Sequence, residues 1–337
     1  MSKRASVLRV GVKFVAGPLI VACVAYFFYR AFQRNWASIQ AQHLAFQPAY
    51  LALAVVCMLV TYLVPTYGWQ FTVNALGGGN KLTFSQTVAV VNSSNLVKYV
   101  PGKVLTYALQ MYWLAKHGFS KSLVIYVNAL NLLISLAVSI IVGFICLLFS
   151  PSPIPTSVTL GIVALGSVLD VLGFKYHAAV LKLMIRLYNR LFKRDVRYVE
   201  VPGSLLARLH LVHLISVLAF GISAYFTSLG IGYYLPPSSA PRLMAAILIA
   251  DTVAFFAVIT PGGLGVREGL MYLALGGAKG SSLALTLPIA TRAVHMTVDV
   301  LLGGTAFKLL GNLTKGTGAT PPLEEPSPDS IPKAEPR

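Results

Sequence analysis

Residues 120–149 read SKSLVIYVNALNLLISLAVSIIVGFICLLF, a stretch whose only charged side chain is Lys121. About 20 mostly apolar residues suffice for a helix to cross the hydrocarbon of a bilayer, and this run exceeds that. Comparable runs lie at about 10–33, 49–71, 155–174, 204–235 and 279–310. The composition agrees, with 56% apolar and 11% charged residues in a chain of 337. Soluble domains carry about 25% charged residues, so a soluble globule, a disordered chain and a disulfide scaffold are all excluded. The fold class expected is an all-α polytopic integral membrane protein with about six full spans. Cys23, Cys57 and Cys146 all sit in apolar runs and report nothing about redox compartment.

Two further apolar segments are interrupted. Residues 82–118 break at Pro101-Gly102, and residues 241–277 break at Pro261-Gly262-Gly263. Basic residues decide how these segments sit, because loops rich in Lys and Arg stay in the cytoplasm. The segment 175–200 holds Lys175, Lys182, Arg186, Arg190, Lys193, Arg194 and Arg197, and the N-terminus holds Lys3, Arg4, Arg9 and Lys13. Both fall on the cytoplasmic side only if 82–118 returns to the side it entered from, and the same behaviour of 241–277 keeps Lys308, Lys315 and the tail on that side. The expectation is therefore two re-entrant or broken hairpins, with both termini cytoplasmic in the inner (cytoplasmic) membrane. The excess of 27 Lys+Arg over 10 Asp+Glu then reads as topology, and nucleic acid is not an expected partner. Ile20-Val21-Ala22-Cys23 is similar to a lipoprotein cleavage box, but the apolar run continues through Tyr26-Phe27-Phe28, as in an uncleaved span.

Residues 1–311 form the expected transmembrane domain, and 312–337, rich in proline and without an apolar period, a disordered cytoplasmic tail. Within 175–200, Val180, Leu183, Met184, Leu187 and Leu191 recur at helical spacing between basic residues. That pattern predicts an amphipathic helix on an anionic membrane surface.

The broken segments match one another at an offset of 261 − 101 = 160 residues. The identities are Pro101/Pro261, Gly102/Gly262, Met111/Met271, Tyr112/Tyr272, Ser122/Ser282, Leu123/Leu283, Val138/Val298 and Gly143/Gly303. Three full crossings lie between the copies, which turns the second upside down. The prediction is an inverted two-fold repeat, with halves at about 49–149 and 204–310. Such repeats with interrupted helices are the mark of secondary transporters. The alternative is that Pro-Gly merely kinks two ordinary helices.

Ionisable groups at membrane depth are costly and usually face a partner or a water-filled path. The sharpest run is Thr260-Pro-Gly-Gly-Leu-Gly-Val-Arg-Glu-Gly269. Gly262, Gly263 and Gly265 let backbone N–H groups approach an anion at a helix start. Arg267 can grip a phosphate through two parallel hydrogen bonds, and Glu268 can balance it or take a cationic group. No strand or βαβ unit flanks these glycines, so a dinucleotide site is discarded. Around the first break, Lys98 and Lys103 are candidates for a lipid phosphate, or simply snorkel to head groups. Asp251 lies in the second broken segment, and Arg292, His295 and Asp299 share one face of the last span at i, i+3, i+7. Asn131, Ser135 and Ser139 form the corresponding stripe in the first copy. Facing stripes would line a head-group passage; as structure alone they would be interhelical glue.

Leu96-Val-Lys-Tyr-Val-Pro-Gly-Lys103, Pro261-Gly-Gly-Leu-Gly-Val-Arg-Glu-Gly269 and Arg292 together resemble the lysylphosphatidylglycerol synthase transmembrane region, a flippase-like membrane domain. The resemblance covers about residues 10–311. It implies movement of a polar-headed lipid between leaflets, with anionic phospholipids or polyprenyl- or hopanoid-type lipids as partners. The acyltransferase domain of full-length synthases has no counterpart in this sequence, so their synthase activity is not carried over. The expectation is thus a lipid flippase, not an enzyme, with no cofactor and no metal. Alternatives from other classes are a membrane-embedded lipid-modifying enzyme and a non-catalytic partner presenting lipid to a separate synthesising enzyme.

Overall fold

The computed structural model describes Tyr29, Gln33, Gly263 and residues 45–96, 104–150, 154–192, 200–257, 265–276 and 282–316. Within them are ten α-helices. They are α1 (Pro48–Leu76), α2 (Phe84–Leu96), α3 (Val104–Lys116), α4 (Lys121–Leu148), α5 (Thr156–Lys175), α6 (His177–Phe192), α7 (Gly203–Gly230), α8 (Ala240–Phe256), α9 (Val266–Ala274) and α10 (Ser282–Gly316). The starts follow ordinary rules. Pro48 opens α1 where its missing N–H costs nothing. Ser120 caps α4 by accepting the Leu123 N–H at 3.2 Å.

Among the described residues, six helical stretches are long and apolar enough to cross a membrane: Pro48–Leu76, Ser122–Leu148, Thr156–Lys175, Gly203–Gly230, Pro237–Phe256 and Ser282–Ala306. Five coincide with expected full spans; the expected span at 10–33, Tyr29 and Gln33 apart, lies outside the described residues, and of the expected tail 312–316 continue α10 as helix while the rest lies outside them. The remaining one is a difference. The first limb of the second broken segment, expected as half of a hairpin, is a full-length candidate span. Its counterpart α2 has only 13 residues, about 20 Å at 1.5 Å per residue. The two helices end at equivalent positions, 96 + 160 = 256, and the extra length lies at the start, where the turn Pro237–Ser239 leads into α8.

α1 and α7 form the central pair and run antiparallel. The Gln47 N–H donates to the Gly230 carbonyl at 2.9 Å. Ser223 Oγ donates to the Ala54 carbonyl at 2.8 Å, and Ser216 Oγ to the Thr61 carbonyl at 2.9 Å. Pro65 lies inside α1 and has no N–H to give Thr61, so Ser216 supplies the missing donor from the neighbouring helix. Small residues let the backbones approach: a Cβ on Gly68 would stand 2.8 Å from Val212 Cγ1.

The remaining packing is arranged around this pair. The 160-residue offset carries α1, α2, α3 and α4 onto α7, α8, α9 and α10. α4 packs on α8, and α2 on α10, so each of these contacts is the image of the other. In the first, a Cβ on Gly143 would lie 3.0 Å from Ile249 Cγ1, and Thr252 Oγ1 donates to Ser139 Oγ at 3.1 Å. α5 and α6 stand outside the scheme. Of the hydropathic window of α7, 56% is buried, against 6% for α5; α7 is a core helix and α5 a lipid-facing one. On α6, Val180, Leu183 and Leu187 are exposed along with Lys182, Arg186 and Arg190, which suits a helix lying on a membrane surface.

The α1–α7 contact is testable through glycine. Gly68→Ala is expected to lower the detergent unfolding midpoint despite alanine's better helix propensity, because stiff Val212 cannot yield. Gly161→Ala on α5, with nothing within 4 Å of the added Cβ, is expected to leave it unchanged or raise it.

Candidate functional site

The chain re-enters a helix at α9 through two glycines at positive φ, Gly263 at +69° and Gly265 at +86°, conformations that side chains rarely adopt. A Cβ on Gly263 would stand 3.1 Å from Ala254 Cβ, so the returning backbone lies directly against the end of α8. The Gly265 N–H donates to Glu268 Oε2 at 2.7 Å. α9 therefore carries its own carboxylate on its N-terminus, which the helix dipole favours.

Beside that cap, Arg267 is only 2% exposed. Its guanidinium collects groups from three helices. Nη1 lies 3.6 Å from Asp251 Oδ1 of α8, and Nε lies 3.6 Å from Glu268 Oε1 of its own helix. Nη1 also donates to His295 Nδ1 of α10 at 3.1 Å. A guanidinium only donates, so His295 Nδ1 is the acceptor and the ring proton sits on Nε2. Arg292 Nη1, from α10, reaches Glu268 Oε1 at 3.8 Å. One turn beyond His295 on α10, buried Asp299 accepts the Tyr62 hydroxyl of α1 at 2.7 Å. Tyr62 and Phe220 each meet the His295 ring edge-to-face, with centroids 5.5 and 5.8 Å away.

The cluster is ionic rather than tightly hydrogen-bonded. Carboxylate–guanidinium separations of 3.6–3.8 Å exceed hydrogen-bond range. Coulomb attraction across such gaps still amounts to about 4 kcal/mol at an effective dielectric constant near 20. Among the described residues, buried Arg267 Nη2 and Glu268 Oε1 have no hydrogen-bond partner. Asp251 is the open member, its side chain 49% exposed.

Of the residues singled out in the sequence, Arg267, Glu268, Asp251, Arg292 and His295 converge here, with Asp299 joined through Tyr62. Asn131 does not. It donates to the Val127 carbonyl at 2.9 Å and meets His213 Nε2 of α7 at 3.2 Å. Ser139 meets Thr252 instead. Lys98, Lys103 and Gly262 lie outside the described residues. Sequence reasoning missed Tyr62, Phe220 and His213, which have no charge-pattern signal. Among the described residues, no group of three or more His, Cys, Asp or Glu is placed to hold a metal ion.

Glu268 ties the cap of α9 to both arginines. Glu268→Gln is expected to destabilise the fold by about 3–5 kcal/mol, the usual cost of leaving buried charge uncompensated; a denaturant titration in detergent checks this. An unchanged midpoint would show that Asp251 alone balances the cluster.

A family model described as the lysylphosphatidylglycerol synthase TM region matches residues 14–303, nearly the whole span of the helices above. No curated protein matches the chain. A multi-pass helical body with its charges gathered at the Pro-Gly-Gly-Leu-Gly-Val-Arg-Glu break is thus a member of the lysylphosphatidylglycerol synthase transmembrane-region family.

Proposed function

We propose that this chain moves a phosphate-bearing lipid between membrane leaflets, with the cluster around Arg267 as the point where the polar head group is held. The observation that carries this reading is a fully buried guanidinium with an unpartnered Nη2. Leaving a buried donor unmade costs about 1–3 kcal/mol, and groups of this kind are retained where a ligand completes them. A phosphate oxygen on Nη2, with a second displacing the half-exposed Asp251 from Nη1, gives Arg267 the bidentate pair that its planar fork favours. Freed Asp251 and Glu268 then suit an ammonium elsewhere in the head group. Acyl chains stay in lipid meanwhile, so only the polar end needs an interior path.

The antiparallel α1–α7 pair and the paired contacts on either side of it support a body of two inverted halves that rock about their shared centre. On this reading α6 and both termini are cytoplasmic, in the inner membrane, and the side chains of the cluster bind and release rather than catalyse. Gly263 and Gly265 place the second break beside the site, where a hinge can open it.

Reconstituted protein is expected to accelerate exchange of fluorescent phospholipids between leaflets. Arg267→Gln is expected to cut the rate by about tenfold or more, worth 1.4 kcal/mol per decade. Arg267→Lys should recover only part of it, since an ammonium cannot bind two oxygens in parallel. Wild-type rates in Arg267→Gln across several head-group classes would overturn the proposal. Orientation is checked with single cysteines at Asn189 and Pro237 in a background lacking Cys23, Cys57 and Cys146. The first should react with impermeant reagent only from the cytoplasm and the second only from outside.

A further inference from the structure

The lipid-facing flank carries a second concavity, separate from the charged cluster. α4, α5, the start of α6 and α7 enclose a cleft of about 450 Å³. Its walls are almost wholly apolar and include Ile134, Ile141, Leu165 and Leu169. Along α5 it runs from Ile162 to Gly173, about 17 Å at 1.5 Å per residue. At Gly173 no atom lies within 4 Å of where a Cβ would stand, so the cleft is open there. A helix facing lipid needs no such hollow, because a convex apolar surface is already satisfied by disordered acyl chains.

The end of the cleft where α5, α6 and α7 meet is polar. Asp170 and His210 both line it, with His210 Nε2 3.3 Å from Asp170 Oδ1. The carboxylate there is thus already engaged. α6, which lends His177 and Val180 to the same end, continues with Lys182, Arg186 and Arg190 exposed. Lys175, exposed between the lining residues Phe174 and His177, is the basic residue beside that end, and Asp170 is the only acid in 154–192, so the surplus charge on this flank is positive, which attracts an anionic head group by about 1 kcal/mol per basic residue near a membrane surface.

We propose that this cleft is a binding site for one anionic phospholipid, retained rather than transported. One acyl chain fills the hollow between α4 and α5 and the phosphate lies beside Lys175, where α5 passes into α6. Binding of this lipid would hold α5 and α6, the two helices outside the paired packing, against the central pair. The site shares only its orientation with the transport reading and uses none of the residues around Arg267.

The test is native mass spectrometry of the full-length protein in detergent, with phosphatidylglycerol or phosphatidylcholine added. Wild type should retain one phosphatidylglycerol in preference to phosphatidylcholine. Gly173→Leu fills the cleft and should lower that retention by about tenfold. Gly161→Leu makes the same change on the same helix, outside the cleft and with equal room, and should not. Ala137→Leu, filling from the α4 wall, should act like Gly173→Leu, and Lys175→Glu should erase the head-group preference. Retention in both filled variants equal to wild type overturns the proposal, as does equal retention of the two lipids by wild type. Arg267→Gln separates the two readings, because it should lose lipid exchange while keeping its phosphatidylglycerol.

Discussion

A guanidinium held at 2% exposure inside a membrane-spanning body sets the terms for everything around it. A charge at that depth persists only with counter-charges close by, and no single helix can supply them all. Asp251 comes from the end of α8, Glu268 from the start of α9, and His295 and Arg292 from α10. Bringing the first two together requires the chain to stop being helical between α8 and α9. The glycines at positive φ make that reversal possible, and Glu268 satisfies the amide that the break exposes. The break, the cap and the ion cluster are one arrangement, closed from the far side by Tyr62 and Phe220 of the central pair.

The helices repeat at an offset of 160 residues, but the charges do not. Positions equivalent to Arg267, Glu268, Arg292, His295 and Asp299 are Tyr107, Ala108, Leu132, Ser135 and Ser139. The contact of α4 with α8 mirrors that of α2 with α10, yet only the second half concentrates ionisable groups.

Much of this was legible in the sequence, for reasons that are local. Hydrocarbon thickness sets span length, so five of the described spans could be placed from apolar runs alone. The Pro-Gly-Gly break and the i, i+3, i+7 spacing of Arg292, His295 and Asp299 singled out residues that the fold brings together around Arg267 and Glu268. The misses have equally specific causes. The basic residues made 241–277 a hairpin, and its first limb, α8 with the turn before it, is by length and composition also a candidate span. The stripe of Asn131, Ser135 and Ser139 was expected to face that of Arg292, His295 and Asp299, but Asn131 meets His213 of α7 and Ser139 meets Thr252 of α8. Tyr62 carries no charge and lies in a span like any other, so nothing marked it before Asp299 was seen beside it.

The sequence alone determined that the chain is helical and membrane-embedded, where it breaks, and which few charges are buried, because each follows from local composition measured against water and hydrocarbon. Tertiary structure alone decided which of those charges meet. Arg267 and His295 are 28 residues apart and Tyr62 and Asp299 are 237 apart, and partners so distant are chosen by helix packing. Close approach at Gly68 and Gly143 sets which faces touch, and the broken carbonyl ladder at Pro65 is answered by Ser216 from another helix. Short-range propensity carries no information about such choices; only the joint fit of ten helices does.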